Sequence, residues 1–141
     1  MDNKKSKIIE KISIYLQQFN EIEFAYIFGS FISSENYHDI DIAVYLNEKF
    51  DKNDFVKYPY GYESGMNSEL SKLTKFRIDF VVMNNAEITL QQRIINKGVS
   101  LFCKDRRKRI YYENHIRKLY IDMASIRKIK RKYLSRKITN A

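Results

Sequence analysis

The sequence predicts an α/β fold, with a small mixed β-sheet flanked by helices and a long basic helix at the C-terminal end. Two observations support this fold class. Short runs of mostly aromatic and β-branched residues occur at 24–28, 39–46 and 77–83, with the length and composition of buried strands. Around these runs, apolar residues recur at the 3.6-residue period of amphipathic helices. A sheet covered by helices would bury both kinds of apolar surface in one core.

Each element can be justified from its own residues. Apolar residues at every third or fourth position predict a first helix over residues 4–19. The strand at 24–28 ends at Gly29, and Ser30 is suited to begin a short helix. The same reasoning gives the remaining elements in chain order: a strand at 39–46, a loop at 47–62, a short helix at 67–75, a strand at 77–83, a helix at 87–97 that stops at the C′ residue Gly98, an apolar piece at 99–102, and a long helix at 105–136.

The length and composition predict one domain. The chain of 141 residues is 44% hydrophobic, enough for one core and too short for two ordinary domains. We expect residues 1–103 to form the compact unit and residues 104–141 to form a basic helical extension packed on the same domain. No apolar run approaches the ~18 residues needed to cross a bilayer, and no apolar signal segment follows the polar N-terminal residues. These features favour a cytoplasmic protein.

Cysteine and histidine usage limits the metal chemistry. Cys103 is the single cysteine, which excludes an internal disulfide and a cysteine-based zinc site. Two histidines are too few for a histidine-rich site. Any metal ion would therefore be held by oxygen ligands.

The net charge of +9 is concentrated in the C-terminal extension. Residues 104–141 contain 14 lysines and arginines against 3 acidic residues, whereas residues 1–103 have a slight acidic excess. Such a surface can attract nucleic acid, an acidic protein or an anionic membrane, or it can simply be a solvated helix face. Nucleic-acid binding is not favoured, because no docking motif is present and the aromatic residues of this segment are spaced as core residues.

Three aspartates interrupt otherwise apolar strands. Asp39 and Asp41 lie two residues apart and therefore project from the same strand face, while Asp79 lies between Ile78 and Phe80 on another strand. Adjacent carboxylates repel each other unless a cation sits between them, and an acidic residue in a buried strand needs a partner. Mg²⁺ fits this need, since it is usually held by one or two carboxylates plus substrate phosphates. Against the simpler alternative of a solvated strand end, we predict that the three carboxylates converge on one metal site.

Gly29 and Ser30, between a strand and the start of a helix, are suited to bind phosphate. A glycine allows close approach to the backbone N–H groups, the serine adds a hydroxyl, and the helix dipole favours an anion. By itself, a Gly-Ser pair after a strand is most often a turn. The ordered set of strand, Gly-Ser, short helix, Asp-X-Asp strand and a later strand with one aspartate is more specific than any of its parts.

This ordered set resembles the minimal nucleotidyltransferase (MNT) domain proteins, of the polymerase-β-like nucleotidyltransferase superfamily. The resemblance rests on Gly29-Ser30, Asp39-Ile40-Asp41 and Asp79, covers roughly residues 5–103, and implies the nucleotidyltransferase fold. Eight residues separate Ser30 from Asp39, which is fewer than usual in this family. Family members of this size with a helical tail are often antitoxins encoded beside HEPN-domain ribonuclease toxins.

The resemblance implies an activity and a role for each residue of the motif. Gly29 and Ser30 would bind the triphosphate of ATP, Asp39 and Asp41 would bind two Mg²⁺ ions, and Asp79 would bind the second ion and activate the attacking hydroxyl. The chemistry would be in-line attack on the α-phosphorus of ATP, with AMP transferred to a tyrosine of the cognate toxin. The expected partners are ATP and that HEPN toxin, bound in a hetero-oligomer.

Two other functions are compatible with these residues. A nucleotidyltransferase could act on a small molecule such as an aminoglycoside, although such enzymes typically carry an additional substrate-binding domain for which this chain has little room. A degenerate member of the fold, without catalytic activity, could neutralise a toxin by binding it or could bind nucleic acid. The presence of all three carboxylates disfavours the degenerate alternative.

Overall fold

The structure of the protein, a computed structural model, describes residues 3–139. A mixed sheet flanked by helices confirms the predicted fold class. The strands are β1 Ile22–Phe28, β2 Asp39–Leu46, β3 Arg77–Val82 and β4 Val99–Cys103. The helices are α1 Asn3–Gln17, α2 Ser30–Ser33, α3 Tyr62–Thr74, α4 Ile88–Lys97, α5 Arg106–Asp122 and α6 Ala124–Thr139. None of the helices in this range combines the length and the apolar character needed to cross a membrane.

The sheet has the strand order β3-β2-β1-β4 and contains both antiparallel and parallel pairs. β1 is antiparallel to β2 and to β4, whereas β2 and β3 are parallel and are joined through the crossover helix α3. The parallel register sets Asp41 beside Asp79, and the antiparallel register sets Phe28 beside Asp41. The sheet therefore brings the end of β1 and two of the predicted aspartates to one place.

Helices cover both faces of the sheet, so β1 and β2 are buried over almost their whole length. One core lies between the sheet and helices α1 and α3, which bury Ile12, Leu16 and Leu70. The second core lies on the opposite face, where helices α4 and α5 bury Ile94 and Tyr112. Burial on two faces explains why these strands are nearly continuous apolar runs rather than alternating ones.

Helix α3 begins at Tyr62, five residues before the start at residue 67 that the sequence predicts. Gly61 supplies the positive φ of 91° from which the chain enters the helix, and Glu63 in the first turn complements the helix dipole. Gly65 lies inside the helix without interrupting it, because packing of the buried face outweighs the ~1 kcal/mol that a helical glycine costs.

Gly98 follows the last residue of α4, as predicted, but not in the left-handed conformation common at that position. Its φ of −77° and ψ of 162° are extended backbone. A Cβ at Gly98 would lie 2.5 Å from the carbonyl oxygen of Ile94. Glycine is therefore required here by close packing rather than by a positive φ.

The long helix predicted over residues 105–136 is instead two helices, α5 and α6, separated at Met123. Arg127 of α6 lies 3.6 Å from the centre of the Tyr120 ring and donates a hydrogen bond of 2.7 Å to the Tyr120 carbonyl oxygen. These contacts join the first turn of α6 to the last turn of α5 across the break. Neither proline nor glycine lies at the break, so no residue type in the sequence marks it.

The apolar stripe predicted for the C-terminal segment packs on the core only in α5. Tyr112 and Ile116 are buried against the sheet. Leu119, Ile126 and Tyr133, which continue the same helical spacing, are exposed, so this part of the stripe does not pack on the core and packing on another protein stays a prediction. Residues 140 and 141 of the predicted extension lie outside the described residues.

Tyr112 joins α5 to α4 by a hydrogen bond from its hydroxyl to the side-chain oxygen of Gln91, and both residues are buried. Tyr112→Phe should lower the free energy of unfolding by about 1–2 kcal/mol, because it leaves a buried oxygen without its donor. Urea unfolding followed by circular dichroism measures this difference. Tyr111→Phe is the matched control, since Tyr111 is 77% exposed and should have no measurable effect. Equal effects of the two substitutions would contradict the role of the hydrogen bond.

Candidate active site

The three predicted carboxylates lie on β2 and β3, on the sheet face that packs against α4. Asp41 is paired with Asp79 across the parallel strands, and Asp39 is paired with Arg77. Asp79 thus lies beside the Asp-X-Asp strand, as predicted. The alternate residues of both strands are buried on the opposite face: Ile40, Ile42, Ile78 and Phe80. These apolar residues hold the register, because a slip by one residue would turn the carboxylates into the core.

A pocket of about 290 Å³ opens beside the paired aspartates. Its polar lining comes from the turn after β1, from the sheet and from α4: Gly29, Ser33, Asp41, Asp79, Arg93 and Lys97. Its apolar lining is Phe28, Ile32, Val81 and Leu90. The pocket therefore sets two acidic side chains against two basic ones, an arrangement suited to a metal ion together with phosphate groups.

The carboxylates are close enough to perturb one another. Burial, and then the negative charges of Asp79 and Asp39, raise the pKa of Asp41 above its ordinary value of 3.8. The Arg93 guanidinium lowers this pKa and so offsets part of the rise. A bound cation would relieve the remaining repulsion, and the hard oxygen atoms of Asp41 and Asp79 are the donors that Mg²⁺ prefers.

The turn at Gly29 is built so tightly against Asp41 that only glycine fits. Gly29 has φ 77° and ψ −158°, a region of the backbone map that is essentially closed to residues with a Cβ. A Cβ at this position would lie 2.0 Å from Oδ2 of Asp41. The backbone of the turn therefore forms one wall of the pocket directly beside the carboxylate.

The structure gathers three of the five predicted site residues, Gly29, Asp41 and Asp79, in one pocket. Ser30 is the exposed first residue of α2 and Asp39 is half-buried at the start of β2, and neither lines the pocket. Helix α2 has only four residues, in keeping with the short spacing in the sequence. Within residues 3–139, no three acidic, histidine or cysteine side chains are grouped closely enough to hold a metal ion. Convergence of all three carboxylates on one metal site stays a prediction.

Arg93 and Lys97 are pocket residues that sequence reasoning missed. They lie one turn apart on α4, and neither forms an ion pair with a carboxylate in the part of the chain that the structure describes. The sequence feature that could have identified them is a pair of basic residues, four positions apart, on the predicted helix that follows the Asp79 strand. The same pattern is common on solvated helix faces, so it did not distinguish these residues.

Lys5 of α1 supports the loop that leads from α2 into β2. Its ammonium group donates hydrogen bonds to the carbonyl oxygens of Phe31, at 2.7 Å, and Ser34, at 2.8 Å. The same group lies 4.7 Å from the centre of the Tyr37 ring. These contacts anchor the short segment immediately before Asp39.

Asp41→Asn should raise the melting temperature of the protein in EDTA at pH 7, because it removes one of the repelling charges. The folded-state pKa of Asp41 lies above 3.8, so ionisation of this group destabilises the folded state as the pH rises through that range, and the cost persists at neutral pH. The gain should therefore shrink as the pH falls below about 4. Scanning fluorimetry of wild type, Asp41→Asn and the exposed control Asp122→Asn measures this. No gain at pH 7 would show that the carboxylates do not repel each other.

Comparison with known protein families agrees with this geometry. A sequence model of the family described as polymerase beta, nucleotidyltransferase, matches residues 10–107. This range includes every predicted site residue together with Arg93 and Lys97. Among curated proteins, no significant match was found.

Several solved structures are similar to this chain at low sequence identity. A chain in the structure of a tri-AMPylated Shewanella oneidensis HEPN toxin in complex with an MNT antitoxin has a TM-score of 0.74 and 19% identity, covering 93% of this chain and 98% of that chain. A chain in a toxin–antitoxin structure with AMP-PNP has a TM-score of 0.72 and 17% identity, covering 91% and 98%. A chain of the toxin–antitoxin MntA–HepT has a TM-score of 0.68 and 17% identity, covering 94% and 97%. At these identities, the likeness shows a shared fold.

The family match extends over most of the 141 residues, including all four strands, the Gly-Ser turn and both aspartates of the pocket. The strand register independently places those aspartates beside the turn. This chain therefore belongs to the polymerase beta family of nucleotidyltransferases.

Proposed function

We propose that the protein transfers AMP from ATP to a tyrosine hydroxyl of a HEPN-type toxin and thereby acts as its antitoxin. This function rests most directly on the pairing of Asp41 with Asp79 beside the Gly29 turn, in a pocket that also holds two basic side chains. Membership of a nucleotidyltransferase family supports the reaction class. The similar structures of a tri-AMPylated HEPN toxin with an MNT antitoxin, and of a toxin–antitoxin with AMP-PNP, support the donor, the acceptor and the antitoxin role.

Mg²⁺ fits the donor set of the pocket. Asp41 and Asp79 are adjacent carboxylates whose repulsion a divalent cation would relieve. We assign these two residues to the metal, and we assign Asp39, on the same face of β2, to a second ion. When bound, Mg²⁺ supplies Lewis-acid stabilisation of the charge on the phosphoryl oxygens.

The remaining pocket residues, together with Ser30 outside the pocket lining, would bind the triphosphate. Gly29 lacks a Cβ, so a phosphate can approach the backbone of the turn, and Ser30 adds a hydroxyl at the start of α2. Arg93 and Lys97 bind the β- and γ-phosphates from the α4 side. A volume of about 290 Å³ is small for a ligand pocket, which suits the phosphates rather than the whole nucleotide.

The transfer step forms a bond between the tyrosine oxygen and the α-phosphorus, and it breaks the bond from that phosphorus to the oxygen that bridges to the β-phosphate. Asp79, exposed at the pocket wall, accepts the proton of the hydroxyl. The electron pair of the broken bond leaves with pyrophosphate, and Arg93 and Lys97 compensate its charge. The products are a tyrosine–AMP ester and pyrophosphate.

We further propose that residues 1–103 carry the catalytic machinery, because every pocket residue lies in this range. Residues 104–141 then form the extension, of which α5 packs on α4. A cytoplasmic location stays a prediction.

Replacing Arg93 and Lys97 together by alanine should lower kcat/KM for ATP by about 10–100-fold, since each side chain contributes a charge-assisted contact to phosphate. The matched control is Lys7→Ala with Lys11→Ala, an exposed pair at the same spacing on α1. Steady-state kinetics with varied ATP, at saturating Mg²⁺, measures the difference. Equal kinetics for the two double variants would show that Arg93 and Lys97 do not bind the phosphates of ATP.

The function itself is tested by searching the neighbouring genes for a HEPN-domain reading frame and incubating its purified product with the protein, ATP and Mg²⁺. Intact-mass spectrometry should show the partner gaining the mass of AMP units, and peptide mapping should place them on tyrosine. The gain should disappear in EDTA and with Asp41→Asn. An unmodified partner that is nevertheless inhibited would show a binding antitoxin without catalysis.

A further inference from the structure

Helix α6 extends from the compact part of the protein with its side chains in solvent. Each side chain described in it, residues 124–137, is exposed except Arg127, which is half-buried against Tyr120. Isolated helices of this length are marginal in water, because a helix is stabilised mainly by packing of an apolar face. Within residues 3–139, the element that α6 mainly contacts is α5.

At 100° per residue, the residues of α6 separate into two faces. The apolar face spans an arc of about 140° and carries four side chains that are 48–66% exposed: Ile126, Ile129, Tyr133 and Leu134. The opposite face is basic: Arg127, Lys128, Arg131, Lys132 and Arg136. Lys130 and Lys137 lie within the apolar arc, where their aliphatic stems can pack while the ammonium groups reach its rim. No acidic residue occurs between 124 and 137.

The presence of an apolar face and a basic face on one helix limits which kinds of surface could cover α6. A second copy of the helix would bring seven like charges against seven, which opposes self-association. A nucleic acid would contact the basic face and leave the four apolar side chains in water. A bilayer would meet an apolar face that lacks Trp and Phe and contains lysine. A protein groove with an apolar floor and carboxylates along its rim covers both faces.

We propose that α6 docks into such an acidic-rimmed apolar groove on the protein that the active site modifies. The identification of this protein as a HEPN-type toxin rests on the proposed function, whereas the chemistry of the groove follows from α6 alone. Helix-in-groove recognition uses apolar anchors at spacings of three, four and seven residues, and Ile126, Ile129 and Tyr133 have these spacings.

The docking surface on α6 is separate from the active-site pocket. Leu119, near the end of α5, lines a second pocket with Leu46, the last residue of β2, and Asn84, which follows β3. Leu46 lies five residues after Asp41 on β2, a distance of about 17 Å. A partner held on α6 is therefore tethered near the active-site pocket without occupying it. Tethering raises the effective concentration of the partner's acceptor hydroxyl at the active site. Docking should therefore lower KM for the partner and leave kcat unchanged.

The test replaces Ile126, Ile129 and Tyr133 together by alanine, which keeps helix propensity high. The matched control replaces Phe55, Val56 and Tyr60, which are 64%, 94% and 90% exposed on the loop before α3, by alanine. The probe is the same purified HEPN-domain protein that tests the proposed function, immobilised for binding kinetics. The α6 variant should bind at least tenfold more weakly, and its KM for the partner should rise without a change in kcat, while the loop variant matches wild type.

A charge-reversed variant, Lys128→Glu with Arg131→Glu and Lys132→Glu, tests the acidic rim. It should slow association at ~50 mM salt and have little effect at ~300 mM, across which the Debye length shortens from about 14 to about 6 Å. Circular dichroism of each variant verifies that the helices persist. A change confined to dissociation would overturn the electrostatic part of the proposal.

Other outcomes overturn the docking itself. Equal affinity of the α6 variant and wild type, or no binding of the probe by wild type, would do so. Dependence on α6 seen only with an oligouridine RNA or with phosphatidylserine vesicles would instead assign the helix to nucleic acid or to a membrane surface. A partner that binds through α6 but gains no AMP would leave the docking intact and reject the proposed function.

Discussion

Asp41→Asn should lower the rate of AMP transfer by about a thousandfold, equivalent to about 4 kcal/mol of transition-state stabilisation. The substitution keeps the size of the side chain but removes the charge that binds Mg²⁺. Because Asp79 and Asp39 repel the ionised Asp41, the same substitution should leave the metal-free protein folded and more stable. A large loss of transfer combined with a gain of stability distinguishes a catalytic carboxylate from a structural one.

The comparison set for this prediction is drawn from the same region. Asp79→Asn should have an effect of similar size, since this residue is paired with Asp41 in the pocket. Glu35→Gln, on the exposed loop before β2, should keep wild-type activity. Transfer by Asp41→Asn within roughly threefold of wild type would contradict the carboxylate site. Unchanged activity of Asp39→Asn would show that Asp39 does not bind the second ion. The assignment of Asp41 and Asp79 to the metal would be unaffected.

Gly29→Ala should lower the free energy of unfolding by about 2–3 kcal/mol and abolish nucleotide binding. Two costs coincide at this position. The backbone conformation, with φ 77° and ψ −158°, disfavours any residue with a Cβ. The new methyl group would also lie 2.0 Å from Oδ2 of Asp41, so the carboxylate would have to leave its place in the pocket. Urea unfolding and a thermal-shift titration with ATP and Mg²⁺ measure the two effects.

Gly65→Ala is the matched control for Gly29. Gly65 lies inside α3, where no atom of a neighbouring element comes within 4 Å of the position that an added methyl group would take, and alanine favours a helix by up to about 1 kcal/mol. This variant should therefore be as stable as wild type or more stable, with unchanged ATP binding. If the two glycines tolerate alanine equally, the turn is not packed against Asp41 as described.

The sequence pattern of the strands predicted the aspartates at the centre of the site, because a carboxylate within an apolar strand is conspicuous in the sequence. An aspartate between Ile78 and Phe80 is unusual in a buried strand, and its alternation with apolar residues determines the face from which Asp79 projects. The Asp-X-Asp strand follows the same rule, and its bounds agree with β2. The parallel pairing that unites the two strands also follows from their order, since a long connection with a helix between them permits it.

Other features depend on packing that no local pattern records. Arg93 and Lys97 belong to the pocket only because α4 packs on one particular face of the sheet, and the sequence does not specify that face. The break at Met123 has no proline or glycine beside it, and the contact that spans it, between Arg127 and Tyr120, joins residues seven positions apart. The stripe in α6 has a helical period whether or not a core covers it, so periodicity alone could not predict its exposure.

The position of a radioactive label tests the central claim most directly. The wild-type protein and its HEPN-domain partner would be incubated with Mg²⁺ and ATP labelled at either the α- or the γ-phosphate, and the partner would then be separated and counted. Attack at the α-phosphorus predicts that the partner takes up label from α-labelled ATP only, and that Asp41→Asn abolishes the uptake. Label from γ-labelled ATP on the partner, or α-label uptake that persists in Asp41→Asn, would contradict nucleotidyl transfer by this site.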